Sequence, residues 1–80
     1  MNKIVKKAIE MNQFTNDLPE LEIDDIVILG KVWDGNGETP KNSYSYKLTD
    51  SDWINYEFEV IEEKEDELET VIKITDICLI

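Results

Sequence analysis

The chain contains no histidine and no arginine. Without imidazole there is no histidine general base, no histidine metal ligand and no histidine-based pH switch. Without guanidinium there is no bidentate phosphate clamp and no arginine finger. The single cysteine, Cys78, excludes an internal disulfide framework and a cysteine-rich zinc site. It stands in the apolar stretch Ile77-Cys78-Leu79-Ile80 with no base beside it. It therefore reads as a small hydrophobe kept reduced, which fits a cytoplasmic location in a bacterial cell. Long apolar runs are also missing. Ile26 to Leu29, which no other run exceeds, falls far short of the ~20 residues a membrane helix needs. The lysines Lys3, Lys6 and Lys7 are not followed by the apolar stretch of a secretory signal, so neither membrane nor export is expected.

What is present is acid. The chain has 80 residues, 19 Asp plus Glu against 8 Lys, and a net charge of -11. Only one core fits this length, so residues 1–80 read as a single domain. Hydrophobic residues make up 41%, enough to build that core despite the charge. All the acids lie after Ala8, where only Lys31, Lys41, Lys47, Lys64 and Lys73 oppose them. Phosphates would be repelled, so direct nucleic-acid binding is not expected.

Hydrophobic spacing predicts one short helix and four strands. Ile4, Val5, Ala8, Ile9 and Met11 share a helical face over Asn2 to Asn12, opposite Lys3, Lys6, Lys7 and Glu10. Thr15, Asn16, Asp17 and Pro19 are breakers that end it. Leu18, Leu21 and Ile23 read as a connection tucked under a sheet. Ile26 to Trp33 is apolar on both faces, the pattern of a central strand covered on both sides. Asp34 to Pro40 is a glycine-rich hairpin turn. Tyr44, Tyr46 and Leu48 alternate with polar residues, as do Ile54, Tyr56, Phe58 and Val60, and both read as half-buried strands. Leu68 to Ile80 reads as a last strand with apolar residues on both faces beyond Val71. Short connections favour antiparallel neighbours. The expected fold is α+β: the helix packed on a four-stranded, twisted antiparallel sheet, a meander or open barrel.

No catalytic set or cofactor motif is visible, and an enzyme is not expected. Asp34-Gly35-Asn36-Gly37-Glu38 suggests a calcium loop, but Thr39 stands where an EF-hand needs its glycine and Ser45 where it needs its glutamate. No metal site is assigned. The placed acids are the informative feature. Glu57 and Glu59 share the polar face of one strand. Glu62, Glu63, Glu65, Asp66 and Glu67 crowd the turn after it, and Glu69 opens the next strand. Carboxylates on alternate strand positions lie ~6.5–7 Å apart. That is roughly the spacing of successive phosphates along one DNA strand. These eight acids are the candidate partner-binding residues, with Trp53, beside them at a turn, as a candidate apolar anchor.

In length, acidity and small α+β layout, and in no motif, the chain resembles the small acidic inhibitors carried by bacteriophages and mobile elements. Among these are anti-CRISPR proteins, anti-restriction DNA mimics and inhibitors of uracil-DNA glycosylase. The resemblance implies a basic nucleic-acid-binding protein as partner, of nuclease or CRISPR-effector type, with its groove occupied sterically and electrostatically. Two other readings stand beside it. One is an assembly module that forms a homodimer through its C-terminal strand. The other is an immunity protein or antitoxin that neutralises a basic toxin.

Overall fold

A computed structural model describes residues 1–14 and 17–80. It shows one short helix packed on a four-stranded antiparallel sheet that does not close into a barrel. Helix α1 spans Lys3–Met11. Asn2 caps it, its side-chain oxygen accepting from the Ile4 and Val5 amides at 2.8 and 3.2 Å. Nine residues are too few for a stable isolated helix, so α1 depends on what it covers. Val5 and Ala8 are buried against the sheet, while Ile9 on the expected apolar face is exposed. The breakers Thr15 and Asn16 lie outside the described residues.

The strands are β1, Ile26–Ile28; β2, Ser43–Lys47; β3, Trp53–Glu62; and β4, Val71–Leu79. Their order is β1-β4-β3-β2. β2, β3 and β4 form a meander, as their short connections require. β1 joins on the far side, beside β4, and is an edge strand.

The expected central strand over Ile26 to Trp33 is therefore corrected. Only Ile26–Ile28 pairs, and Leu29–Lys31 turns into a 3-10 helix. Leu29, Val32 and Trp33 follow helical spacing, and the turn places all of them in the core. Gly30 permits the turn to approach the second 3-10 helix, Glu67–Glu69; a Cβ there would stand 3.2 Å from the Leu68 carbonyl oxygen. Since β1 and β2 sit at opposite edges, Asp34 to Pro40 belongs to a crossover and is not a hairpin turn. Its glycines do take positive φ, 91° at Gly35 and 77° at Gly37.

The core lies on one face of the sheet only. Ile54, Tyr56 and Phe58 of β3 face Leu79, Ile77 and Ile74 of β4, and Tyr56 and Ile54 face Tyr44 and Tyr46 of β2. Leu18 and Leu21 close this face with α1, whereas Ile23 is exposed. The Tyr56 hydroxyl donates to the Pro19 carbonyl at 2.8 Å and pins the connection. The Tyr46 hydroxyl donates to the Val32 carbonyl.

The apparent two-faced apolarity of the last strand has a simple cause. Glu57 pairs with Asp76 but Phe58 pairs with Ile74, so Thr75 is an extra residue, a β-bulge. The bulge rephases the strand. Ile72, Ile74, Ile77 and Leu79 then share the core face, and Lys73, Asp76 and Cys78 share the other. A second bulge at Ile61 does the same for β3, since Val60 pairs with Ile72 and Glu62 with Val71.

Candidate interaction face

The bulges decide which side chains meet on the uncovered face of the sheet. Along β3 that face carries Trp53, Asn55, Glu57, Glu59 and, because Ile61 is extra, Glu62. Opposite Asn55, Glu57, Glu59 and Glu62 on β4 stand Cys78, Asp76, Lys73 and Val71. Ile80 continues the ladder, exchanging backbone hydrogen bonds with Trp53 at 2.8 and 3.3 Å. On the β2 side stand Lys47, Ser45 and Ser43, opposite Trp53, Asn55 and Glu57.

The face is graded. One end is apolar with a single cation: Trp53, Ile80 and Lys47. The middle row is polar and uncharged: Ser45, Asn55 and Cys78. There the Ser45 hydroxyl donates to the Asn55 side-chain oxygen at 2.8 Å. The other end carries the acids Asp76, Glu57, Glu59 and Glu62, with Lys73 and Val71 among them and, on β1 opposite these two, the exposed Ile26 and the half-buried Ile28. Lys73 also lies 3.7 Å from the exposed Asp24 carboxylate.

Every expected contact residue is exposed, but they divide into two groups. Glu57, Glu59, Glu62 and Trp53 belong to the open face. Glu63, Glu65 and Asp66 occupy the β3–β4 connection, and Glu67 and Glu69 its 3-10 helix. Asp66 has a structural task, accepting from the Leu68 amide at 3.1 Å as the cap of that helix. Lys64 neutralises Glu62 locally, its ammonium 2.7 Å from the carboxylate.

Asp76 and Cys78 were not anticipated. Strict alternation puts Asp76 beside Ile74 in the core, and only the three-residue step from Ile74 to Ile77 betrays the bulge. Glu57, Asp76 and Cys78 bring a ligand atom each to within 4.8 Å of one another. Two carboxylates and a thiol are donors a divalent cation accepts. Glu57 and Asp76 are exposed, however, and among the described residues the one supporting contact is the Ile77 amide donating to Asp76 at 2.9 Å. The same contact covers an outward amide of β4, whose outer side beyond Ile74 has no strand beside it among the described residues.

The crossover offers no chemistry of its own. Asp34 accepts from the backbone amide of Asn36 at 3.0 Å and from its side-chain amide at 3.2 Å, which holds the carboxyl below its usual range. These bonds shape the loop, and Trp33 donates its indole N–H to the Asn36 carbonyl at 2.8 Å. Burial raises the phenol pKa of Tyr46 to about 12, with Tyr44 and Asp34 adding to the shift. Burial also raises that of Tyr56, with Tyr46 adding to it. Both phenols are structural donors on the core face. Among the described residues no pocket is found, and no helix is long and apolar enough to cross a membrane. No protein-family model, curated protein or solved structure matches the chain.

Proposed function

We propose that this is a non-enzymatic acidic inhibitor of the phage or mobile-element kind. It docks its uncovered sheet face into the basic groove of a nucleic-acid-binding protein, a nuclease or CRISPR effector. The observation that carries the reading is the row Glu57, Glu59 and Glu62 on the open face of β3, joined by Asp76 from β4. A solubilising charge needs no such alignment, and an Asp directly opposite a Glu is unfavourable to the isolated sheet. The cost is offset when cations of a partner sit over the row. Side chains two residues apart on a strand are ~6.5–7 Å apart, roughly the phosphate repeat of a nucleic-acid strand. The net charge of -11 would accelerate encounter with a basic surface and make it salt-dependent. Such a partner would place the protein in the cytoplasm of a bacterial host. An immunity protein facing a basic toxin would use the same charge logic.

The test is competition with DNA or RNA for the partner, at low and moderate salt. Close charge pairs desolvated at an interface couple by ~1.5 kcal/mol or more, whereas rim charges act mainly on the on-rate. Glu57→Lys with Glu59→Lys should therefore cost at least about tenfold in affinity. Glu65→Lys with Glu67→Lys, on the connection, should cost less. Salt-independent binding, or full activity of the first double variant, would reduce the acidic row to a solvated surface.

Assembly through β4 has one observation in its favour, the strand-free outer side of Thr75 to Leu79. Over Val71–Lys73 that side is already taken by β1. Asp76 blunts the remainder by occupying the Ile77 amide. A concentration-dependent dimer in light scattering would support this second reading.

A further inference from the structure

The acidic row is only half of the open face; the other end is apolar. Trp53 is 40% exposed, Ile80 67% and Phe14 56%. Lys47 joins them, its ammonium 5.5 Å from the centroid of the Phe14 ring and 5.9 Å from that of Trp53. We propose that Trp53, Ile80 and Phe14 form the anchoring corner of the face, seating an apolar side chain of a basic partner and fixing which way round that partner docks. This rests on the reading of the acidic row as a docking surface for a basic protein, and it adds the partner's second chemical requirement.

Lys47 already holds the cation–π position over two rings, so a second cation finds its place filled and meets like charge. The corner therefore rejects the lysines and arginines that the acidic row accepts. What it still offers is exposed aromatic and aliphatic surface, the kind that dominates binding energy when a partner covers it. Trp53 and Glu57 lie on one strand four residues apart, so the two ends are separated by ~13 Å. The middle row is uncharged, with the Ser45 hydroxyl donating to the Asn55 side-chain oxygen, so it selects for neither a cation nor an anion. A fitting partner segment thus carries cations at one end and an apolar side chain ~13 Å away, in one orientation only. A second copy of this chain is a poorer occupant, since each copy carries a net charge of -11.

The experiment uses synthetic extended peptides as probes, titrated into the isotope-labelled protein and followed by amide NMR shifts. The first peptide carries three lysines at alternate positions and a leucine four residues beyond the last of them. The second replaces that leucine with serine, the third with lysine, and the fourth replaces all three original lysines with glutamate. The leucine peptide should bind about tenfold more tightly than the serine peptide, about what burying most of a leucine contributes. The peptide with lysine in place of leucine should gain nothing over serine. Trp53→Ala, and independently Ile80→Ser, should abolish the leucine preference, so that the leucine and serine peptides bind each variant alike. Equal binding of the leucine and serine peptides, or a preference that survives both variants, would overturn the corner and leave the acidic row standing. Lysine peptides that bind no better than the glutamate peptide would overturn both. A dimer in light scattering that Trp53→Ala dissolves would also overturn the proposal, since the occupant would then be a second copy.

Discussion

Deleting Thr75 is the sharpest test of how the chain assigns side chains to the two faces. If Thr75 is the extra residue of a bulge, its removal regularises the ladder and moves nothing across the sheet. Ile74 still pairs with Phe58, Asp76 with Glu57 and Ile77 with Tyr56. Thr75 is exposed and contributes little to the core, so the expected cost is no more than about 1 kcal/mol. The comparison is Ile77→Ala. Ile77 is 4% exposed within the core, and such truncations cost about 2–5 kcal/mol. A chain this size has a total stability of roughly 4–12 kcal/mol, so the two outcomes are well separated. Urea denaturation followed by tryptophan fluorescence reads both, and an unchanged denaturant slope would show that the native and unfolded surfaces are the same. In a bulge-free strand phased on the buried Ile77 and Leu79, the deletion would instead carry both to the open face and bury Asp76. A deletion variant as unstable as Ile77→Ala, or unfolded, would refute the register on which the acidic face depends.

Three further outcomes follow from the same structure. Tyr56→Phe leaves the Pro19 carbonyl without its donor and should cost about 1–2 kcal/mol in urea denaturation, with the fold retained. The raised phenol pKa values of Tyr46, to about 12, and of Tyr56 mean that the folded state keeps these protons after the unfolded chain has lost them. Their contribution is therefore fully present below pH ~10 and is lost as pH rises through the folded values; Tyr46→Phe should flatten this alkaline decline in a melting series. Asp76→Asn removes a like-charge pair with Glu57, as the Asn side-chain oxygen can still accept from the Ile77 amide. It should raise stability by about 0.2–1 kcal/mol at low salt, a gain that thermal melts should show fading at high salt.

The parts of this fold that the sequence made legible are those where one periodicity runs uninterrupted. Lys3–Met11 declares its helical stripe, and Ile54, Tyr56 and Phe58 declare theirs by strict alternation. Glu57 and Glu59 were found because they sit within that alternation. Legibility ended where a single residue changed the phase. The bulges at Ile61 and Thr75 conceal that Glu62 and Asp76 join Glu57 on one face, and they made β4 look apolar on both sides. Leu29 to Trp33 departs from the strand its composition suggests for a related reason. A run of β-branched residues around Gly30 suggested a strand, whereas Leu29, Val32 and Trp33 carry the spacing of a helical turn. Ile23 and Ile9 are apolar yet exposed, which no periodicity distinguishes from burial. The order β1-β4-β3-β2 was hidden as well, because the crossover from Leu29 to Asn42 resembles an ordinary glycine-rich turn.

The central claim is that the bare sheet face, with Glu57, Glu59, Glu62 and Asp76 at one end and Trp53 at the other, is where a basic partner docks. Amide chemical-shift mapping on the complex with that partner tests it most directly. The account predicts perturbations concentrated on Trp53, Asn55, Glu57, Glu59, Glu62, Asp76 and Cys78, weakening together as salt is raised. Perturbations centred on the exposed side of α1, or confined to Glu63 to Glu69, would contradict it.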